Sequence, residues 1–171
     1  MSDDAVIVGR FQPFHHGHRI NMIEYAQQEY DEVYLGIGVD PDGRTGRNPL
    51  TYGEREDVID ELYPDLPTFP VEEDTDPGSW VDNIEDGLDG YREDHEVTPV
   101  TGNTTSRDSF EQEGYDVDFR EEDDLVGDDV YRGTRIRERA RDGGEWRHLV
   151  PDDAAAKLDE IGFEERVRQH D

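Results

Sequence analysis

Short apolar runs alternate along the chain with polar and amphipathic stretches. Ala5-Val-Ile-Val8 is a β-branched run that stops at Gly9, the pattern of a strand buried on both faces. A polar loop rich in glycine and histidine follows. The spacing after it predicts a helix from about His18, with Ile20, Ile23 and Tyr25-Ala26 turned inward. Val33 to Val39 reads as a second strand, and residues 40–51 as a loop rich in Gly, Asp and Pro. Thr51-Tyr-Gly-Glu54 is a capping-box pattern that opens a helix running to Leu62. Further on the pattern predicts a strand at Thr68–Val71, a helix near Trp80–Leu88 and a strand at Glu96–Thr101. A polar helix near Ser106–Glu113 and a weak strand at Val117–Phe119 come next. Residues 121–129 read as an acidic loop. Gly133-Thr134 opens a helix through Ala140, and the tail carries helices at Asp152–Ile161 and from Phe163.

Strands alternating with helices imply parallel βαβ units, hence an α/β fold with a Rossmann-like doubly wound sheet and C-terminal helices. No repeat or linker interrupts the pattern, so a single domain over residues 1–171 is expected. A chain of this length removes roughly 70% of its unfolded surface from water. Ligands of such sheets sit beyond the carboxyl ends of the strands, at the switch point. That points to the loops after the first and second strands.

Composition changes the picture in one respect. Asp and Glu number 46 against 17 Lys and Arg, for a net charge of -29. Mean hydropathy is -1.02, a value that alone would suggest disorder. The organised apolar runs and an aromatic content of 9% argue for a folded core instead. Lys157 is the one lysine, and the other 16 basic residues are arginine. Carboxylates spread along the whole chain, rather than in one block, fit a high-salt cytoplasm that screens self-repulsion. The competing reading is an acidic protein with a basic partner. Cysteine is absent, which excludes disulfides and thiolate metal sites. No apolar run approaches the ~18 residues of a membrane span, and residues 1–4 lack a signal pattern. A cytoplasmic protein that binds neither membrane nor nucleic acid is expected, since phosphates would be repelled.

Against that acidity the first loop stands out. Gly9-Arg-Phe-Gln-Pro-Phe-His-His-Gly-His18 joins strand to helix, with Arg10, His15 and His18 beside a helix N-terminus able to hold an anion. Two other readings are a plain turn with surface histidines and a metal site built from His15, His16 and His18. The metal reading lacks helical i, i+4 spacing and carboxylates within the loop. A second basic cluster, Arg132, Arg135, Arg137, Arg139 and Arg141, reads as phosphate binding rather than a solvated face. Gly133 frees its backbone, Thr134 can cap the helix, and Arg137 lies one turn further in.

Gly9-Arg-Phe-Gln-Pro-x-His15-x-Gly-His18 resembles the signature of archaeal-type nicotinamide-nucleotide adenylyltransferases, members of the HxGH nucleotidyltransferase superfamily. Arg47-Asn-Pro-Leu-Thr-Tyr-Gly-Glu-Arg55, Gly102-Asn103, Gly133-Thr134-Arg-Ile-Arg137 and Trp146-Arg-His-Leu-Val-Pro151 are similar to further family segments in the same order. The resemblance implies AMP transfer from ATP to nicotinamide mononucleotide (NMN), giving NAD+ and pyrophosphate. It implies His15, His18 and Arg137 as catalytic groups, with Gly9, Arg10, Phe11, Gln12, Gly17, Gly133 and Thr134 binding ATP. Arg47, Trp80 and Asn103 would meet the acceptor, Trp80 by stacking on its ring, although a core role for Trp80 reads equally well. Mg2+ would arrive with ATP, no dedicated metal site is expected, and the resemblance suggests a homo-oligomer.

The sequence departs from the family where Gly36-Ile-Gly38 runs on without the usual serine and histidine, and where Arg132 replaces a serine. Two alternatives therefore stay open. One is a paralogue using another phosphorylated acceptor or CTP. The other is a non-catalytic nucleotide sensor of the same fold.

Overall fold

A computed structural model describes residues 2–40, 48–121, 125–126, 129–130 and 132–169. Five strands, β1 (Asp4–Gly9), β2 (Glu32–Val39), β3 (Thr68–Glu72), β4 (Thr98–Thr101) and β5 (Asp118–Phe119), form one parallel sheet in the order β3-β2-β1-β4-β5. The order turns back between β1 and β4. The crevice at the carboxyl ends therefore opens between the loops after β1 and β4, so the loop after β4 joins the two loops to which the sequence points. Strand order is a tertiary property, and the linear pattern does not encode it.

Pleating sends alternate residues to opposite faces. Ala5, Ile7, Val33, Leu35 and Ile37 point into the larger cluster, under α1 (Tyr25–Glu29), α2 (Tyr52–Leu62) and the C-terminal helices α5 (Gly133–Arg141), α6 (Asp152–Ile161) and α7 (Phe163–Gln169). Val6, Tyr34, Phe69 and Val71 point the other way, against α3 (Pro77–Leu88) and α4 (Thr104–Gln112). Helices thus cover both faces, as the alternation predicts. No helix of the described residues is long and apolar enough to cross a membrane.

Local signals hold where a side chain meets its own backbone. Thr51 and Glu54 form the predicted capping box of α2. Asp76 caps α3, which starts three residues before the expected Trp80, and Asn103 caps α4 at Thr104 rather than Ser106. Two expectations fail. Residues His18–Glu24 wind as a π-helix before α1, so the i→i+4 register slips; Met22 and Ile23 are buried and Ile20 is 44% exposed. Within the acidic stretch 121–129, Leu125–Val126 pair antiparallel with Asp129–Val130, as strands β6 and β7.

Candidate active site

A cavity of about 730 Å³ opens at the switch point. Ile7–Phe11 and His18 line one part of it. Gly38, Asp40, Asn48 and Glu73–Thr75 line the β2–β3 side, and Trp80 with Thr101–Asn103, Thr105, Ser106 and Ser109 completes the rest. The β4–α4 wall carries hydroxyls and an amide but no charge, while Asp40, Glu73 and Asp74 gather on the opposite side.

The loop after β1 is folded tightly. Phe11 adopts φ +52°, a left-handed conformation costing a non-glycine residue on the order of 1–3 kcal/mol, and it persists because packing fixes it. The Phe11 ring turns back over Gly9, where a Cβ would stand 2.9 Å from it, so only glycine fits. The ring then meets His18 edge-on at 4.6 Å, with Phe14 at 5.5 Å. The Gln12–Pro13 peptide is cis.

His15 and His18 stack with centroids 3.7 Å apart. The Gly17 N–H donates to His15 Nδ1 at 3.0 Å, and the His15 N–H donates to His18 Nδ1 at 3.2 Å. A nitrogen that accepts carries no proton, so this network assigns both imidazoles the neutral form, with the proton on Nε2. Burial holds the His18 imidazole well below its usual pKa, and the neighbouring His15 adds to the effect. The His18 ring is therefore preset as a neutral N–H donor, and the His15 ring stacked on it uses Nδ1, not Nε2, for its bond to Gly17. His16 turns away, its Nδ1 accepting from Arg19 Nε at 3.0 Å, so the three histidines do not converge. Among the described residues no group of three or more His, Cys, Asp or Glu is placed to hold a metal ion. Two of the cavity's three carboxylates accept from nearby donors: Asp40 from Asn48 Nδ2 at 2.9 Å, and Asp74 from the Asp76 N–H at 2.8 Å.

Arginine 137 joins the loop from the far end of the chain. It is 6% exposed; its Nη1 donates to the Gln12 carbonyl at 2.7 Å and its Nη2 to Thr134 Oγ1 at 3.2 Å. Gly133 permits this, since a Cβ there would stand 2.9 Å from Arg137 Nη1. Thr134 does not cap α5, contrary to expectation. Arg132 occupies the cap position and makes no side-chain capping bond to α5, and Thr134 Oγ1 serves Arg137. Nor do the five arginines form one face. Residues two apart on a helix point to opposite sides, so Arg135 lies on the surface near Glu138 and Arg139 donates to the Glu145 carbonyl.

The structure brings Gly9, Arg10, Phe11, His18, Trp80 and Asn103 to one cavity, with His15 stacked on His18. Trp80 is half-buried: it lines the cavity, and its ring packs edge-on against Phe110 at 5.1 Å. Asn103 Oδ1 is engaged as the cap of α4. Gly17, Gln12, Gly133, Thr134 and Arg137 belong to the scaffold behind the lining, and Arg47 lies outside the described residues.

Sequence reasoning missed Arg55. Buried to 4% exposure, its Nη1 donates to the carbonyls of Arg10 and Gly38, and its Nε to that of Thr51. It pins the carboxyl ends of β1 and β2 from below the cavity. Burial pushes its pKa down to about 10, partly offset by nearby Glu73. An arginine in a helix ordinarily reads as solvated, and only its place in the Gly-Glu-Arg motif hinted otherwise.

The family described as cytidylyltransferase-like matches residues 6–152. A nicotinamide-nucleotide adenylyltransferase of Methanococcus maripaludis is 31% identical, covering 96% of this chain and 94% of its own. A protein of the same name from Halorubrum lacusprofundi is 34% identical over 95% and 89% of the two chains. Among solved structures, a bifunctional NMN adenylyltransferase/ADP ribose pyrophosphatase of Francisella tularensis, complexed with AMP and a manganese ion, superimposes with a TM-score of 0.75. It is 18% identical, a likeness of fold, and this chain spans 52% of its length.

Proposed function

The chain belongs to the cytidylyltransferase-like family and, within it, to the nicotinamide-nucleotide adenylyltransferases, and on that premise we propose that it transfers AMP from ATP to NMN, giving NAD+ and pyrophosphate. The carrying observation is the stacked His15–His18 pair, both Nδ1 atoms accepting backbone N–H groups, at the edge of a switch-point cavity that also holds Arg10 and Trp80. In this reading the triphosphate lies over the Gly9–His18 loop. An oxygen of the acceptor's 5′-phosphate attacks the α-phosphorus in line, a new P–O bond forms, and the bond to the bridging oxygen breaks to release pyrophosphate. No proton has to move. The requirement is stabilisation of charge on nonbridging oxygens, which preorganised N–H donors supply. Nε2–H of His15 and His18 donate to phosphate oxygens, Arg10 adds positive charge, and Arg137 holds the loop that carries them through its bond to the Gln12 carbonyl.

A divalent ion such as Mg2+ would be held mainly through the oxygens of the triphosphate and would supply charge neutralisation there. This fits a cavity whose Asp40 and Asp74 already hold protein donors. Trp80 offers a π-face to the cationic nicotinamide ring, Arg47 and Asn103 complete the acceptor side, and the chain works as a single domain in a homo-oligomer. The acidic, lysine-poor composition belongs to a halophile's cytoplasm, in keeping with the Halorubrum relative.

Product analysis in molar KCl with ATP and Mg2+ tests the proposal, comparing NMN, nicotinic acid mononucleotide and other phosphorylated acceptors. NAD+ and pyrophosphate from NMN are expected. Turnover confined to another acceptor would mark a paralogue, and ATP binding without any turnover would mark a sensor.

A further inference from the structure

Glutamine 12 is 4% exposed, and its amide is spent on one backbone residue 38 positions away. Its Nε2 donates to the Leu50 carbonyl at 2.9 Å, and the Leu50 N–H donates to its Oε1 at 2.9 Å. Its own carbonyl accepts from Arg137 Nη1 at 2.7 Å. Arg10 and Phe11 just before Gln12 line the cavity, as does Asn48 just before Leu50. A two-point amide clamp fixes both distance and orientation between the strands of backbone it joins, much as a β-ladder pair does. The Leu50 segment is braced from behind as well: Arg166 of α7 donates to the Pro49 carbonyl and pairs with Glu54, whose Oε1 accepts from the Thr51 N–H.

We propose that Gln12 is a positioning residue that sets the register between the phosphate loop and the Asn48–Thr51 wall, and passes that register to Arg137 through its carbonyl. The inference rests on the nucleotidyl-transfer reading for its catalytic consequence, but not for its structural one. A nucleotide on the loop and an acceptor against the Asn48 side must meet with reacting atoms ~3–3.5 Å apart, and a 1 Å error there is costly. Gln12 touches neither substrate through its side chain; it spaces the two walls.

The variants are Gln12→Ala and Gln12→Glu. In Gln12→Ala the Leu50 amide loses its acceptor, and its hydrogen exchange accelerates at least tenfold. The value of kcat/KM then falls at least tenfold for ATP and acceptor alike. Glutamate keeps the shape of glutamine. As the acid it can donate to the Leu50 carbonyl and accept the Leu50 N–H; as the carboxylate it turns lone pairs on that carbonyl. The ratio of its kcat/KM to that of the native protein is therefore near one at the acid end and falls as pH rises. Arg137, Arg55, Glu54 and Arg166 are the charged groups around this junction, and being common to both proteins they cancel in the ratio. A ratio independent of pH overturns the proposal. So does a Gln12→Ala protein with native kcat/KM and a protected Leu50 amide. If the native protein makes no dinucleotide yet Gln12→Ala frees Leu50 and weakens ATP binding, the reaction assigned above is wrong and the positioning role stands.

Discussion

Replacing Gly133 by alanine sets two effects of known size against each other. Alanine is favoured over glycine in a helix by about 1 kcal/mol, less at a first helical position, and it restricts the unfolded chain by about 0.4–1 kcal/mol. Against this, the new Cβ would stand 2.9 Å from Arg137 Nη1 and 3.3 Å from the Gln12 carbonyl oxygen. The guanidinium cannot swing aside freely, because it is buried between that carbonyl and Thr134 Oγ1. Displacing it forfeits a charge-assisted bond of about 1.5–3 kcal/mol. The clash should win by about 0.5–2 kcal/mol, which for a chain of this size lowers Tm by roughly 1–8 °C. In molar KCl the melt should shift down by that amount, and kcat/KM for ATP should fall as well, because the displaced guanidinium no longer holds the Gln12 carbonyl of the phosphate loop. A Tm equal to or above the native value with unchanged kcat/KM would show that the Arg137–Gln12 bond carries nothing.

Three further outcomes are expected. His18→Ala should lower kcat far more than ATP affinity, because an N–H aimed at developing charge acts in the transition state; equal losses in both would speak for a binding module. His95, bonded to Asp89 at 2.6 Å and close to Glu85, has its pKa raised above 6.5, chiefly by the Asp89 bond and against some desolvation. Its stabilising contribution is complete below 6.5 and lost as pH rises through the raised value, so the Tm gap between the native protein and His95→Gln should close with rising pH; a gap that widens refutes it. With a net charge of -29, the melting temperature should drop as KCl is removed, and an unchanged cooperative melt without salt would reject the high-salt adaptation.

Element types and most boundaries were legible in the chain, since they depend on residues close in sequence. β-branched runs make buried strands, Thr51 and Glu54 cap α2 three residues apart, and Gly9 admits a ring two residues on. The motif from Gly9 to His18 was legible for the same reason: it is one loop, and its chemistry travels with it. The π-helical turn after it was not, because i→i+4 periodicity looks the same until packing shifts the register and leaves Ile20 outside.

Sequence alone also determined the absence of thiol chemistry, the extreme acidity and the family. Tertiary structure decided the rest. It put the crevice between β1 and β4 by reversing strand order. It brought Arg137, of the five arginines, onto the Gln12 carbonyl from 125 positions away in the chain. It buried Gln12 and Arg55, two residues whose chemistry favours water, because carbonyls from distant strands and loops converge there and make burial affordable in hydrogen bonds. Convergence of that kind joins positions 38, 45 and 125 residues apart, and no local pattern in a chain can announce it.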